Sequence, residues 1–209
     1  NSLSLFTKEF EIIHFNRSFF KDEESLDEFV LKCDVIIHLA ALNRHNNPDE
    51  IFRTNISLVQ FLINSLIRTK CKVHLIMASS TQEELDNSYG LSKKKGREMF
   101  QKWANSTKNK FTGLIIPNVF GPFGNPYHNS VVATFCHNIA NEQSIQIDNP
   151  DKVIDLAYID DVREVFINYL TNLELFDDTH IKSITKTYSL TIGELARKLK
   201  KFSKMRSNG

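Results

Sequence analysis

Short apolar runs alternate along the chain with longer segments in which apolar residues recur every three or four positions. The runs that are typical of strands are Phe10–Phe15, Asp34–Ala41, Lys72–Ser80 and Phe111–Gly121. The segments with helical periodicity are Asp22–Cys33, Pro48–Thr69 and Tyr89–Ser106. Near-continuous apolar strands that alternate with helices are typical of parallel sheets covered on both faces. The pattern therefore predicts an α/β fold with a doubly wound parallel sheet.

In sheets of this kind, ligands bind beyond the carboxyl ends of the strands. Three predicted strands end at residues 40–45, 79–81 and 117–121. The sequence therefore predicts a binding site at these places.

The pattern changes after Gly121. A loop with two prolines and two glycines leads into a predicted helix at residues 130–142, followed by weaker strands and two further helices. The last helix begins at a Ser/Thr cap with Glu194 in its first turn. We predict a single domain over residues 1–209, with a smaller second part.

The composition is that of a globular protein. The 209 residues carry a net charge of +1, with 41% hydrophobic and 24% charged residues. This balance gives no polybasic surface for nucleic acid, and no apolar run approaches the ~20 residues that span a membrane. The first residues lack the pattern of a signal peptide. Three cysteines without CxxC spacing and seven histidines without metal-ligand spacing predict a cytoplasmic protein with no metal site.

Tyr89 and Lys93 are four residues apart at the head of a predicted helix, so they share one face of it. An ammonium group favours a neighbouring phenolate, and we expect Lys93 to lower the pKa of Tyr89 from about 10. Tyr89 could then donate a proton to a carbonyl oxygen that receives a hydride. Ser80, beside Ser79 and Thr81 at the preceding strand end, would hold that oxygen. The spacing also arises by chance, so its position after two serines is what favours catalysis.

Four segments together resemble the extended short-chain dehydrogenase/reductase family in their order and spacing. They are "DVIIHLAA", "SSTQEELDNSYGLSK", "IIPNVFGPFGNPYHNSVVATF" and "YIDDV". The resemblance covers nearly the whole chain. It is closest to bacterial capsule and O-antigen reductases of a UDP-linked 2-acetamido-2,6-dideoxy-4-ketohexose, because of the short interval from Ser80 to Tyr89 and the segment "NPYHNSVVATF". It implies a Rossmann-type fold, an NAD(P)-dependent oxidoreductase and a homodimer.

The resemblance also divides the chain and assigns roles to residues. It implies a cofactor part, mainly residues 1–122 and 153–173, and a small C-terminal substrate-binding part, mainly residues 123–152 and 174–209. The implied catalytic residues are Ser80, Tyr89 and Lys93. The implied cofactor contacts are Arg17, Leu39, Ala40, Ala41, Lys93 and Pro117. The implied UDP-sugar contacts are Ser80, Thr81, Asn118 and Asn129.

Structural roles remain open for some of these residues and are preferred for others. Pro117 and Asn118 would otherwise form a turn at a strand end, and Asn129 would cap the next helix. The further residues that we assign to structure are Asp160 and Asp161, as helix-capping acids, and Asn55, as a polar residue within its helix. Phe100 and Trp103 are candidates for a helix-pair dimer contact or for the protomer's own core.

The sequence departs from the family pattern in two places. The first glycine is Gly90, so no Gly-rich turn precedes it to cradle a pyrophosphate. The expectation is an N-terminally truncated fold that binds its cofactor weakly, with the residues before Phe10 forming the end of the helix after such a turn. The Asp-Glu pair that family dehydratases carry after Ser80 is also missing, which counts against dehydration.

Arg17 bears on the choice of cofactor. It follows the predicted strand Phe10–Phe15, where an acidic residue favours NAD and a basic residue favours NADP. A guanidinium fits a 2′-phosphate well, so we predict NADP(H), with NAD(H) as the alternative. A solvated surface arginine is the structural alternative.

Three functions are therefore compatible with the sequence. The first is NADPH-dependent reduction of a UDP-linked 4-keto sugar in surface polysaccharide biosynthesis. The second is epimerisation of a UDP-sugar on the same fold, which would consume no cofactor. The third is a non-catalytic module for nucleotide-sugar binding or oligomerisation, in which Tyr89→Phe would have no effect.

Overall fold

The structure is a computed structural model that describes residues 10–172 and 179–207. The residues before Phe10, for which a helix end was predicted, lie outside this range. The α-helices are Glu23–Val30 (α1), Pro48–Thr69 (α2), Ser88–Thr107 (α3), Val131–Ala140 (α4), Ile159–Thr171 (α5) and Ile192–Ser207 (α6). The strands are Val35–His38 (β1), His74–Ser80 (β2), Lys110–Ile116 (β3), Asn118–Phe120 (β4), Val153–Tyr158 (β5), His180–Ser183 (β6) and Tyr188–Thr191 (β7).

The first sheet has the strand order β1-β2-β3-β6. β1 pairs in parallel with β2, and β3 pairs in parallel with β6. Helix α2 connects β1 to β2 and helix α3 connects β2 to β3, as crossovers between parallel strands require. The predicted α/β fold with a parallel sheet is therefore confirmed.

Helix α2 shows why the local sequence forms these elements. The Asn47 side chain accepts a hydrogen bond from the Asp49 N–H, Pro48 occupies the first turn, and Lys70 ends the helix in a left-handed conformation. Apolar residues at helical spacing, among them Val59 and Leu66, are buried. The helix is therefore fixed by capping at its ends and by one apolar face.

Helix α3 contributes Phe100 and Trp103 to the apolar core that also contains Val59 and Leu66 of α2. Both side chains are almost completely buried, and the other apolar residues of this cluster come from α1, α2 and the first strands. Of the two alternatives for Phe100 and Trp103, the protomer's own core is therefore confirmed, and the dimer contact is wrong because neither ring is accessible to a partner.

Two predicted strands differ from the structure. Phe10–Phe15 forms no strand, because it pairs with no other strand in the described residues and a single extended segment has no ladder of hydrogen bonds. Phe111–Gly121 forms two strands instead of one. β3 and β4 belong to different sheets, and Pro117 between them lacks the N–H that a continuous strand would need.

The chain divides into two compact units. One contains Asn1–Ile115 and Phe166–Ser183, and the other contains Ile116–Val165 and Ile184–Gly209. The second unit has a sheet of order β4-β5-β7, in which β5 is parallel to β4 and antiparallel to β7. Its core is a small cluster around Phe135 and Leu156.

Capping in the second unit confirms one prediction and overturns another. The Thr191 hydroxyl accepts from the Glu194 N–H at 3.1 Å, and the Glu194 carboxylate accepts from the Thr191 N–H at 2.8 Å, which is the predicted start of the last helix. The cap of α4 is Ser130, whose hydroxyl accepts from the Ala133 N–H at 3.2 Å. The alternative that Asn129 caps this helix is therefore wrong. Asn129 is exposed and has φ +57°.

Asp160 and Asp161 occupy the first turn of α5, as predicted. Asp160 forms an ion pair with Arg163 at 3.1 Å, and Asp161 pairs with Lys186. A carboxylate at a helix N-terminus also interacts favourably with the helix dipole. Both residues therefore have a structural explanation. Across the described ranges, no helix is long and apolar enough to cross a membrane.

Candidate active site

The candidate site is built from the end of β2, the short 3-10 helix Thr81–Glu84 that follows it, and the head of α3. The Asn87 side chain accepts from the Gly90 N–H at 2.8 Å and starts α3 one residue before Ser88. This cap places Tyr89 in the first turn of the helix. Lys93 follows one turn later on the same face.

Gly90 allows α3 to approach the segment that follows Ser80. A Cβ atom at Gly90 would lie 2.0 Å from the carbonyl oxygen of Gln82. Any other residue would therefore push the backbones apart, so only glycine permits this packing. The close approach brings the Tyr89 turn of α3 against the residues directly after Ser80.

Lys93 is unusually buried for a lysine, with 3% of its surface exposed. Burial lowers the pKa of its ammonium group to about 8, and the carboxylate of Glu83 opposes that shift. Burial raises the pKa of the Tyr89 phenol. The expectation that Lys93 lowers the pKa of Tyr89 is therefore wrong in direction, because loss of solvation governs the phenol. Near neutral pH, Tyr89 carries its proton and Lys93 is mostly charged.

Ser80 and Ser79 have different environments. The Ser80 hydroxyl oxygen accepts from the Gln82 N–H at 3.2 Å and caps the 3-10 helix, which leaves its O–H to donate. The Ser79 hydroxyl donates to the carboxylate of Glu83. Thr81 is exposed. Of the two serines, Ser80 is therefore the better donor to a substrate oxygen.

Two charged residues of the site were not predicted. Glu83 is 5% exposed and forms a two-point ion pair with Arg97, in which the shortest N–O distance is 2.7 Å. The two residues belong to different elements, the 3-10 helix Thr81–Glu84 and α3, so no periodicity along one element pairs them. Arg97 does lie at Tyr89 + 8 and so shares its helix face. His38 is also buried at the end of β1, and burial together with Lys93 lowers its pKa to about 3.

Three of the six residues predicted to contact a cofactor follow β1 directly. Leu39 is 64% exposed, and Ala40 and Ala41 are half-buried. Leu39 and Ala40 line a cavity of about 580 Å³ that β1 shares with Phe10–Ile13. The residues lining this cavity do not include Ser80, Tyr89 or Lys93.

Arg17 begins the short 3-10 helix Arg17–Lys21 and is exposed. The Asn16 side chain caps this helix by accepting from the Ser18 N–H at 3.0 Å. Arg17 therefore follows an irregular segment rather than a strand, and its role toward a 2′-phosphate stays a prediction.

Pro117, Asn118 and Asn129 belong to the second unit. Pro117 is buried between β3 and β4, and Asn118 is exposed at the start of β4. Their predicted contacts with cofactor and substrate stay predictions.

Asn55 has the structural role that was predicted for it. It is 4% exposed within α2, and its side-chain amide accepts from the Leu42 N–H at 2.6 Å and donates to the Leu42 C=O at 2.9 Å. It thus fixes the loop that follows Ala40 and Ala41. In the described parts of the chain, no three His, Cys, Asp or Glu side chains form a group that could hold a metal ion.

Known proteins are similar to this chain over most of its length. Residues 3–184 match the profile of the NAD dependent epimerase/dehydratase family. The chain is 34% identical, over 95% of its length, to the UDP-2-acetamido-2,6-beta-L-arabino-hexul-4-ose reductase of Pseudomonas aeruginosa and covers 52% of that protein.

Solved structures agree with the fold. The capsular polysaccharide assembling protein CapF of Staphylococcus aureus matches 90% of the chain with a TM-score of 0.75 and 30% identity, over 50% of its own length. The UDP-glucose 4-epimerase of Thermotoga maritima, solved with UDP-glucose, matches 88% of the chain with a TM-score of 0.75. At 22% identity over 66% of that protein, the second match supports the fold alone. The chain spans about half the length of the first two relatives.

Proposed function

Because the chain belongs to the NAD dependent epimerase/dehydratase family, we propose that it carries the reaction centre of a reductase of UDP-linked 4-keto sugars. The substrate class is a UDP-linked 2-acetamido-2,6-dideoxyhexos-4-ulose, by similarity to the Pseudomonas reductase. The observation that carries the proposal is the buried Lys93 one turn after Tyr89, on a helix head packed against the residues after Ser80.

Each catalytic residue has one task in this proposal. The Ser80 O–H donates to the ketone oxygen and holds it. The neutral Tyr89 phenol transfers its proton to that oxygen as the adjacent carbon is reduced to an alcohol. The charged Lys93 stabilises the phenolate that Tyr89 leaves behind.

The residues after β1 fit a nicotinamide nucleotide. Ala40 and Ala41 have small, half-buried side chains at the carboxyl end of the sheet, where a cofactor can approach the backbone closely. When bound, the reduced nicotinamide supplies the hydride. We propose NADP(H), with Arg17 facing the 2′-phosphate, and a cytoplasmic homodimer.

The test begins with cofactor binding by the 209-residue chain, followed by NADPH fluorescence with NADH as the comparison. It continues with NADPH oxidation in the presence of the UDP-4-keto sugar. We expect Tyr89→Phe to lower kcat by about 10²–10⁴-fold, as loss of a general acid does. Tyr188→Phe, at an exposed ring of β7, is the matched control.

Each alternative gives a different result. Conversion of a UDP-sugar without net NADPH consumption would replace the reductase by the epimerase. No turnover, together with identical in-cell function of wild type and Tyr89→Phe, would replace it by a non-catalytic module.

A further inference from the structure

We infer that the buried ion pair between Glu83 and Arg97 is a positioning device for the reaction centre, which holds the segment after Ser80 against α3 and keeps a negative charge near Lys93. The inference rests on the proposed function for its catalytic meaning. Its geometry and its first test are independent of turnover.

The pair joins two elements with little freedom. Arg97 Nε donates to both carboxylate oxygens of Glu83, at 3.0 and 2.9 Å, and Arg97 Nη2 donates to Oε2 at 2.7 Å. The side chains are 13% and 4% exposed, respectively. Short charge-assisted bonds in a two-point arrangement fix direction as well as distance. The 3-10 helix Thr81–Glu84 is therefore tied to α3 at one defined position.

Each partner is held by a second contact. The Ser79 hydroxyl donates to Glu83, which ties the carboxylate to the end of β2. The stem of Arg97 packs over β3, where a Cβ atom at Gly113 would lie 2.9 Å from Arg97 Cδ. The pair therefore connects β2, α3 and β3, and its contact on β2 is the residue next to Ser80.

The position of Arg97 relates the pair to the catalytic residues. Tyr89, Lys93 and Arg97 are spaced four residues apart on α3, so they lie along one face of the helix. The Glu83 carboxylate is the charge that opposes the effect of burial on Lys93. A second titratable neighbour is His38, which stays neutral because burial and Lys93 lower its pKa to about 3. Glu83 is therefore the charge that favours protonated Lys93.

A purely structural role does not explain this choice of residues well. Replacing a buried ion pair by apolar side chains of similar volume is often neutral or stabilising. An ion pair next to a buried lysine has a second consequence, because its carboxylate favours the protonated form of that lysine. A purely structural ion pair would leave the titration midpoint of Lys93 unchanged when it is removed. An ion pair that also acts on Lys93 would hold that midpoint at higher pH.

The experiment removes both charges together. In Glu83→Gln/Arg97→Gln, we expect the titration midpoint of Lys93 to move to lower pH by at least about half a unit. The midpoint is measured by NMR of protein with ¹³C-labelled lysine, with the Lys93 signal assigned from its absence in Lys93→Met. Glu50→Gln/Arg53→Gln is the matched control, because that ion pair is exposed on α2. It should leave the midpoint unchanged.

An unchanged Lys93 midpoint in a folded double variant would overturn the inference, whatever the change in Tm. If the first double variant unfolds, Glu83→Gln/Arg97→Met gives the same test with an apolar replacement for the arginine. Failure of the proposed function appears separately, as a wild-type chain without turnover whose Lys93 midpoint still depends on Glu83. Where turnover is present, the lower midpoint should move the alkaline limb of kcat by the same amount while KM changes little.

Discussion

The Nδ2 of Asn55 donates to the hydroxyl of Ser92 at 2.8 Å, and the Ser92 hydroxyl donates in turn to the Tyr89 carbonyl at 2.7 Å. Because Asn55 also holds both backbone groups of Leu42, one side chain joins the loop after β1 to the helix turn of Tyr89. The loop on which we propose the cofactor to lie and the helix turn that carries the proposed proton donor are therefore held by the same side-chain amide.

Asn55→Ala should cost about 2–4 kcal/mol of unfolding free energy. The substitution leaves the N–H and C=O of Leu42 without this partner in a partly buried loop, and such groups cost about 1–3 kcal/mol each. Urea unfolding followed by circular dichroism measures the change. Asn64→Ala, on an exposed position of the same helix, should change stability by less than about 0.5 kcal/mol. Equal losses of unfolding free energy in the two variants would show that the side-chain hydrogen bonds of Asn55 do not contribute to stability.

Gly90→Ala should separate the head of α3 from the segment after Ser80. The added methyl group would meet the Gln82 carbonyl oxygen at 2.0 Å, and a backbone atom cannot rotate away as a side chain can. We expect a loss of about 2–3 kcal/mol, typical of forced overpacking, and a fall in kcat where turnover is measured. Leu91→Ala, at the exposed next position, is the comparison. A fully stable Gly90→Ala protein would contradict the close packing of these segments.

Lys93→Met should stabilise the protein near pH 7. The pKa of Lys93 falls from 10.5 to about 8 on folding, so between these values the unfolded chain binds the proton that the folded chain has released. Wild-type stability therefore rises with pH above about 8, and the cost of burying the charge is fully present below it. That cost is up to about 3 kcal/mol at about 1.4 kcal/mol per pKa unit.

The measurement is the unfolding free energy of wild type and Lys93→Met from pH 7 to 9.5. The advantage of the variant should be largest at pH 7 and shrink above pH 8. Lys94→Met, at an exposed position, should show no such trend. A constant difference between wild type and Lys93→Met across the range would contradict the lowered pKa.

His38→Gln should make the unfolding free energy fall less steeply as the pH is lowered. Folding lowers the pKa of His38 from 6.5 to about 3, so stability is complete above pH 6.5 and falls as the pH drops toward 3. The slope from one such group is up to about 1.4 kcal/mol per pH unit. His74, whose pKa burial lowers to about 4, contributes in the same direction and remains in the variant. Unfolding free energies at pH 6, 5 and 4 give the slopes, with exposed His14→Gln as the control.

Much of the first unit follows from the sequence, because its signals are local. The apolar run that contains β1 directly indicates a buried strand. The four-residue interval from Tyr89 to Lys93 directly indicates that both residues share one helix face. In the second unit, the Thr191–Glu194 cap is predictable for the same reason, because its two residues are only three positions apart. These elements need no information from distant parts of the chain.

The remaining features depend on distant partners. Phe10–Phe15 has the composition of a strand, but a strand exists only with a neighbour to pair with. The ion pair of Glu83 with Arg97 joins two elements, and its buried position depends on how β2, α3 and β3 pack. The direction of the Tyr89 pKa shift also depends on burial, which outweighs the charge four residues away.

The two units have cores of very different size, and we expect this difference to set how often each unit opens locally. Among the described residues, the first core gathers fourteen buried apolar residues from Leu26 to Phe111, whereas the second gathers four, namely Phe135, Leu156, Leu195 and Ala196. Amide protons of β2 and α3 should therefore exchange with deuterium more slowly than those of β5 and α4, because opening them exposes more apolar surface. The proposed proton donor Tyr89 would then lie in the unit that opens rarely, while Asn118 and Asn129 belong to the unit that opens and recloses more often.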